Sequence, residues 1–236
     1  MPEKPPGKKF HFDTLYVKMR HIVSSEGFLQ MSKKKYNLNT IYISERLQEN
    51  LKPISQSAFT AVTAPMGYGK TTAISWYLDK QSKNGNSCVI RISIYSDNLS
   101  VFWQSVQKAF AFAGLDFLDN YSCPSDAARA GMLADELCYS LSGQTSYYIF
   151  IDDFHLLGEP HIADFFCMLA NRLPENIHLI VSGRNAFLSG KEILRLGKKL
   201  YQIHTRDLCL NRRELSVYTH RCAASLTEAE HASLFQ

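Results

Sequence analysis

The stretch AFTAVTAPMGYGKTTAISWYLDKQS, residues 58–82, decides the fold. Its opening, Ala58 to Thr63, is a short apolar run suited to a buried strand. Its close, Lys70 to about Ser82, reads as a helix. Between them stands the loop Ala64, Pro65, Met66, Gly67, Tyr68, Gly69, which runs into Lys70, Thr71 and Thr72. Gly67 and Gly69 let the backbone turn so that successive N–H groups converge on one point. The helix N-terminus adds partial positive charge at that point. A loop of this kind between strand and helix is suited to phosphate oxygens. In it Lys70 would reach the β- and γ-phosphates as a compact charge, and the Thr71 hydroxyl would ligate Mg²⁺. Ala64 stands where the strict pattern has glycine, a mild departure.

Outward from the loop the same alternation repeats. Strands are expected at Cys88 to Ile94, Tyr147 to Ile151, Leu179 to Ser182 and Leu200 to His204. Helices are expected at Val101 to Ala113, about Asp126 to Ser142, His161 to Arg172 and Lys191 to Leu196, with apolar residues at helical spacing. Ser44 can cap a helix through Asn50, and Asn211 a final one through about Arg221. Continuously apolar strands alternating with helices predict an α/β three-layer sandwich, a mostly parallel five-stranded sheet covered on both faces.

The strand at Tyr147 to Ile151 ends in Asp152-Asp153. Strand C-termini in parallel sheets face the ligand crevice. Asp152 is therefore expected to hold Mg²⁺, and Asp153 to orient an attacking water. Arg184 follows the fourth strand and could sense a γ-phosphate through bidentate contacts. His155 reads as a packing or hydrogen-bonding histidine rather than a catalytic one. The guanine-reading Asn/Thr-Lys-x-Asp stretch of GTPases does not occur, which points to ATP or ADP. Neither the arginine-rich lid nor the acceptor site of a small-molecule kinase is legible.

Composition bounds the rest. The chain has 236 residues, 45% hydrophobic and 20% charged, ordinary globular usage. Of the net charge of +4, residues 1–40 carry eight Lys/Arg against three acids, a surplus of five, which leaves −1 for the remainder. A basic, loosely packed arm thus precedes a near-neutral domain, not a globule with a DNA-binding face. Six cysteines without a CxxC pair, no apolar leader and no membrane-length run predict a cytoplasmic protein with reduced thiols.

Taken together, TAPMGYGKTT (Thr63–Thr72), IDDFH (Ile151–His155), VSGR (Val181–Arg184) and DLCLNRREL (Asp207–Leu215), preceded by IYISERLQENL (Ile41–Leu51), resemble the nucleotide-binding domain of LuxR-type large ATP-binding transcriptional regulators. These belong to the STAND class of signal-transduction ATPases, relatives of AAA+ proteins. The resemblance covers about Ile41 to Leu234. It implies a regulatory ATP switch with slow hydrolysis, self-association in the ATP state and an ADP-bound resting state. Two rival readings stand beside it: a module that binds nucleotide without turnover, and, more remotely, a P-loop kinase.

Ser44 stands where the family often carries an arginine, which leaves open whether Arg46 serves near the adenine. Gly183 stands where a bulkier or hydroxyl residue is common. Charge and the resemblance together divide the chain into a basic arm at 1–40, a P-loop domain at 41–208 and the start of a helical lid at 209–236. It also implies a product truncated before its sensor and DNA-binding domains, so that no DNA-binding domain is expected in this chain.

Overall fold

The computed structural model describes residues 41–222. The expectations for the arm at 1–40 and for residues 223–236 of the helical lid lie outside the described residues. In chain order the elements are α1 (Glu45–Leu51), β1 (Phe59–Thr63), α2 (Lys70–Ser82), β2 (Ser87–Ser93), α3 (Leu99–Phe112), α4 (Ala127–Ser140), β3 (Ser146–Asp152), α5 (Pro160–Arg172), β4 (Ile177–Gly183), α6 (Gly190–Leu196), β5 (Leu200–His204), α7 (Thr205–Leu208) and α8 (Arg212–Arg221). The strands form one sheet in the order β2-β3-β4-β1-β5. Every neighbouring pair is parallel, so the sheet is wholly rather than mostly parallel.

Period-two alternation sorts the strand residues between two apolar layers. Ile90, Ile92, Ile149, Ile151, Leu179 and Val181 pack against Phe102 and Val106 of α3, Leu133 and Leu137 of α4, and Phe165, Phe166 and Leu169 of α5. Val62, Tyr148, Phe150, Ile180 and Ile203 face the other way, onto Leu47 and Leu51 of α1 and Ile74 and Leu78 of α2. Ile74 is fully buried; truncating it to alanine is expected to cost about 2–5 kcal/mol through lost burial and the cavity left behind.

Helix starts follow side-chain caps. Ser44 Oγ accepts from Leu47 N at 3.2 Å, and Asp126 Oδ1 accepts from Arg129 N at 2.8 Å. Asn98 accepts from Ser100 N and Val101 N, so α3 starts at Leu99, two residues before the expected Val101. A capping box joins Asn211 and Glu214 at the head of α8.

The strand order matters for the site. β4 lies between β1, which feeds the loop, and β3, which ends in the acids. Its C-terminal end therefore lies between the glycine loop and the acids, with the Gly183 carbonyl bonded to Ala64 N and the Ser182 hydroxyl to Asp152.

Candidate nucleotide site

The loop has the conformation that its glycines predict. Gly67 and Gly69 have φ of 82° and 73°, and Gly69 caps α2 in the left-handed region. A side chain at either position would be strained. Pro65 and Met66 are exposed, while Ala64 and Tyr68 are buried in the α1/α2 layer. Thr71 and Thr72 are exposed at the first turn of α2.

Lys70 is only 6% exposed. Its Nζ donates to the Pro65 carbonyl at 3.0 Å, and it forms no ion pair among the described residues. Burial pushes its ammonium below the ordinary lysine value; Asp153 and Asp152 oppose the shift, and Arg184 adds to it. A buried lysine normally has an anionic partner. Here a three-donor cation spends one bond on a neutral carbonyl.

Asp152 is likewise 6% exposed. Its Oδ2 accepts from Thr71 Oγ1 at 2.7 Å, although 81 residues separate the two. Its Oδ1 accepts from the Ser182 hydroxyl and from Asp153 N, the latter at 3.0 Å. The two residues expected to share Mg²⁺ are thus in direct contact. A hydroxyl and a carboxylate, both hard oxygen donors, suit Mg²⁺, which takes few protein ligands and completes its shell with phosphate and water. Among the described residues no group of three or more His, Cys, Asp or Glu could hold a metal without such help.

Asp153 is the only non-glycine residue at positive φ among those described, with φ 60° and ψ 35°. This left-handed turn ends β3 and leaves the Asp153 side chain half-exposed. His155 Nδ1 lies 3.7 Å from Asp153 Oδ1. Both ring nitrogens are buried with no hydrogen-bond partner among the described residues. Burial pushes the imidazole down, Arg184 adds to this and Asp153 opposes it.

Arg184 is exposed, with no hydrogen bond or ion pair among the described residues, yet near enough to act on Lys70 and His155. Gly183 before it needs no special backbone: an added Cβ would meet Phe187 Cδ1 at 3.4 Å, an ordinary contact.

Two features escaped the sequence reading. One is Ser182, fully buried against Asp152; a strand-end serine gives no signal of its own. The other is the pairing of Arg46 with the segment from Asp207 to Glu214. Arg46 Nε and Nη2 each donate to Glu214 at 3.0 Å, and the guanidinium also donates to the carbonyls of Asp207 and Cys209. The alternative left open, Arg46 beside an adenine, meets a guanidinium already engaged in the fold.

No protein-family model matches the chain. Solved structures similar to it include the Aeropyrum pernix ORC1 protein in complex with DNA, at 15% identity and TM-score 0.49, which covers 79% of this chain and 51% of that one. The Walker-type ATPase of Pyrococcus abyssi is similar at 13% identity and TM-score 0.48, over 86% of this chain and 65% of that one. Cdc6p from Pyrobaculum aerophilum is similar at 15% identity and TM-score 0.47, over 97% and 53%. The chain thus spans between about half and two thirds of the length of these three. No helix among the described residues is long and apolar enough to cross a membrane. The wholly parallel five-stranded sheet, with helices on both faces and a glycine loop between β1 and α2, is the α/β fold of P-loop NTPases.

Proposed function

We propose that this chain is an ATP-binding, slowly hydrolysing switch domain of a regulator resembling the LuxR-type large ATP-binding transcriptional regulators. The observation that carries the reading is Lys70, a buried cation with unspent donors at the mouth of a positive-φ glycine loop. Such a group is costly unless an anion completes it. A triphosphate supplies that anion.

In this reading the N–H groups from Met66 to Thr72 cradle the phosphates, and Lys70 contacts the β- and γ-oxygens. Thr71 and Asp152 would hold Mg²⁺, which when bound neutralises charge between the phosphates. Asp153, at the tip of its left-handed turn, orients the attacking water and takes its proton. Arg184, exposed and without a partner among the described residues, swings onto the γ-phosphate. Contacts to a γ-phosphate exist with ATP and not with ADP, which is the differential affinity a switch requires. The resemblance adds self-association in the ATP state, a resting ADP state and an output in transcription.

The test measures Mg–ATP binding and phosphate release without any acceptor, for the parent and for Asp153→Asn. The expected result is slow release by the parent, and intact binding without release by the variant. Absence of binding in the parent sinks the proposal. Binding without turnover in the parent leaves a non-hydrolysing module, and release only with an added acceptor leaves a kinase. Sedimentation with ATP and with ADP tests the association state.

A further inference from the structure

Ser182 ends β4 with no exposed surface. Its hydroxyl donates to Asp152 Oδ1, and the Asp153 N–H approaches both, at 3.0 Å from Asp152 Oδ1 and 3.4 Å from Ser182 Oγ. On the far side Asp152 Oδ2 receives Thr71 Oγ1. One carboxylate therefore ties together three segments: the end of β4, the turn after β3 and the head of α2.

The geometry has a consequence for a metal. The last torsion of an aspartate is broad and roughly two-fold, so little within the residue decides which way its carboxylate plane faces. A donor on Oδ1 from inside the sheet fixes that plane and leaves Oδ2 turned toward Thr71. The Asp153 amide helps, but it belongs to the left-handed turn and needs fixing itself. Ser182 lies in a strand whose residues are all buried. It is the rigid member of the group. Groups held by packed neighbours keep their geometry better than groups on loops.

We infer that Ser182 is a positioning residue for the metal-bearing carboxylate, holding Asp152 turned toward Thr71 and seating the left-handed Asp153 turn. The inference rests on the Mg–ATP reading of the site. It gives Ser182 no contact with nucleotide and no share of Mg²⁺ coordination. Its removal should therefore alter what the metal adds to binding, and leave what the loop and Lys70 contribute.

The experiment titrates a fluorescent ATP analogue into the parent, Ser182→Ala and Ser182→Thr, first in EDTA and then across a range of Mg²⁺ concentrations. In EDTA the three should agree within about twofold. With Mg²⁺, the concentration giving half of the metal-induced gain in affinity should rise about tenfold in Ser182→Ala, the usual scale for one hydrogen bond to a charged group. Ser182→Thr keeps the hydroxyl and should stay near the parent. Mn²⁺ binding in the presence of nucleotide, followed by electron paramagnetic resonance, should show the same order. Should the alanine variant fail to fold, Ser182→Cys, similar in shape but a weak donor, carries the same expectation.

Equal Mg²⁺ dependence in the parent and the alanine or cysteine variant overturns the inference. So does an equal loss of affinity in EDTA and in Mg²⁺, which marks general damage to the loop. A parent that binds no nucleotide at all overturns the underlying reading instead, and the two failures are told apart by the parent alone.

Discussion

Two of the buried polar clusters among the described residues differ in how completely their atoms are satisfied. In the clasp between α1 and α8, Glu214 is 7% exposed, and its carboxylate accepts two bonds from Arg46 and one from Asn211 N at 2.7 Å. Burial alone would push Glu214 up, but the bonds from Arg46, Ser44 and the Asn211 backbone outweigh it and hold the carboxyl below its ordinary value. At the strand ends, Lys70 spends one donor on a carbonyl, His155 has both ring nitrogens unpartnered among the described residues, and Asp153 sits in a left-handed turn. Saturated polar groups hold a structure in place. Unsaturated ones keep capacity for a ligand, at a cost in stability that the rest of the fold carries.

The widest separation between the clusters is expected at their cations. Lys70→Met should lower ATP affinity at least about hundredfold, near 2.7 kcal/mol. It should leave the melting point unchanged or raise it, because an ammonium disfavoured by burial is gone. Arg46→Met should act in the reverse sense, costing about 2 kcal/mol of stability while ATP affinity stays within about threefold. That figure lies at the low side for a buried pair because the Arg46 side chain is 36% exposed and water can replace part of its contact. Calorimetric melting and ATP titration on both variants check the pair. A clasp variant that loses ATP binding at full stability would make the clasp part of the site.

pH separates the clusters by sign. Glu214 has a folded pKa below its ordinary 4.5, so its contribution is fully present above 4.5 and is lost as pH falls through the folded value. Lys70 has a folded pKa below its ordinary 10.5, so its charged form costs stability throughout the neutral range and that cost lifts at high pH. Denaturant unfolding between pH 7 and pH 3 should show a smaller loss below pH 4.5 in Glu214→Gln than in the parent. Parallel losses in the two proteins would remove Glu214 as the source.

How far this was legible in the sequence follows from the range of each signal. The strands and helices were readable because apolar runs and caps are local, and α3 slipped by two residues only because Asn98 lies outside its apolar pattern. The glycine loop between β1 and α2 was readable because its glycines, lysine and strand–helix flanks are contiguous. The clasp was not, since Arg46 and Glu214 stand 168 residues apart and a lone Arg and Glu read as solvated. Ser182 was missed for a related reason: its partner lies 30 residues earlier on a neighbouring strand, and serine is ordinary at strand ends.

The left-handed Asp153 was also invisible, and it changes how its own role must be tested. Alanine is the usual replacement for a catalytic acid, but at φ 60° it brings a backbone cost. Asparagine tolerates the left-handed region about as well as aspartate, whereas alanine pays roughly 1 kcal/mol there. Asp153→Asn should therefore melt within about 0.5 kcal/mol of the parent, and Asp153→Ala about 1 kcal/mol lower. Both should lack phosphate release if Asp153 orients the water. If only the alanine variant loses release, the turn rather than the carboxylate is what the reaction needs, and the capacity ascribed to this cluster shrinks to Lys70 and its loop. Thermal melts and phosphate release on the two variants, run side by side, separate the shape of the turn from the chemistry it presents.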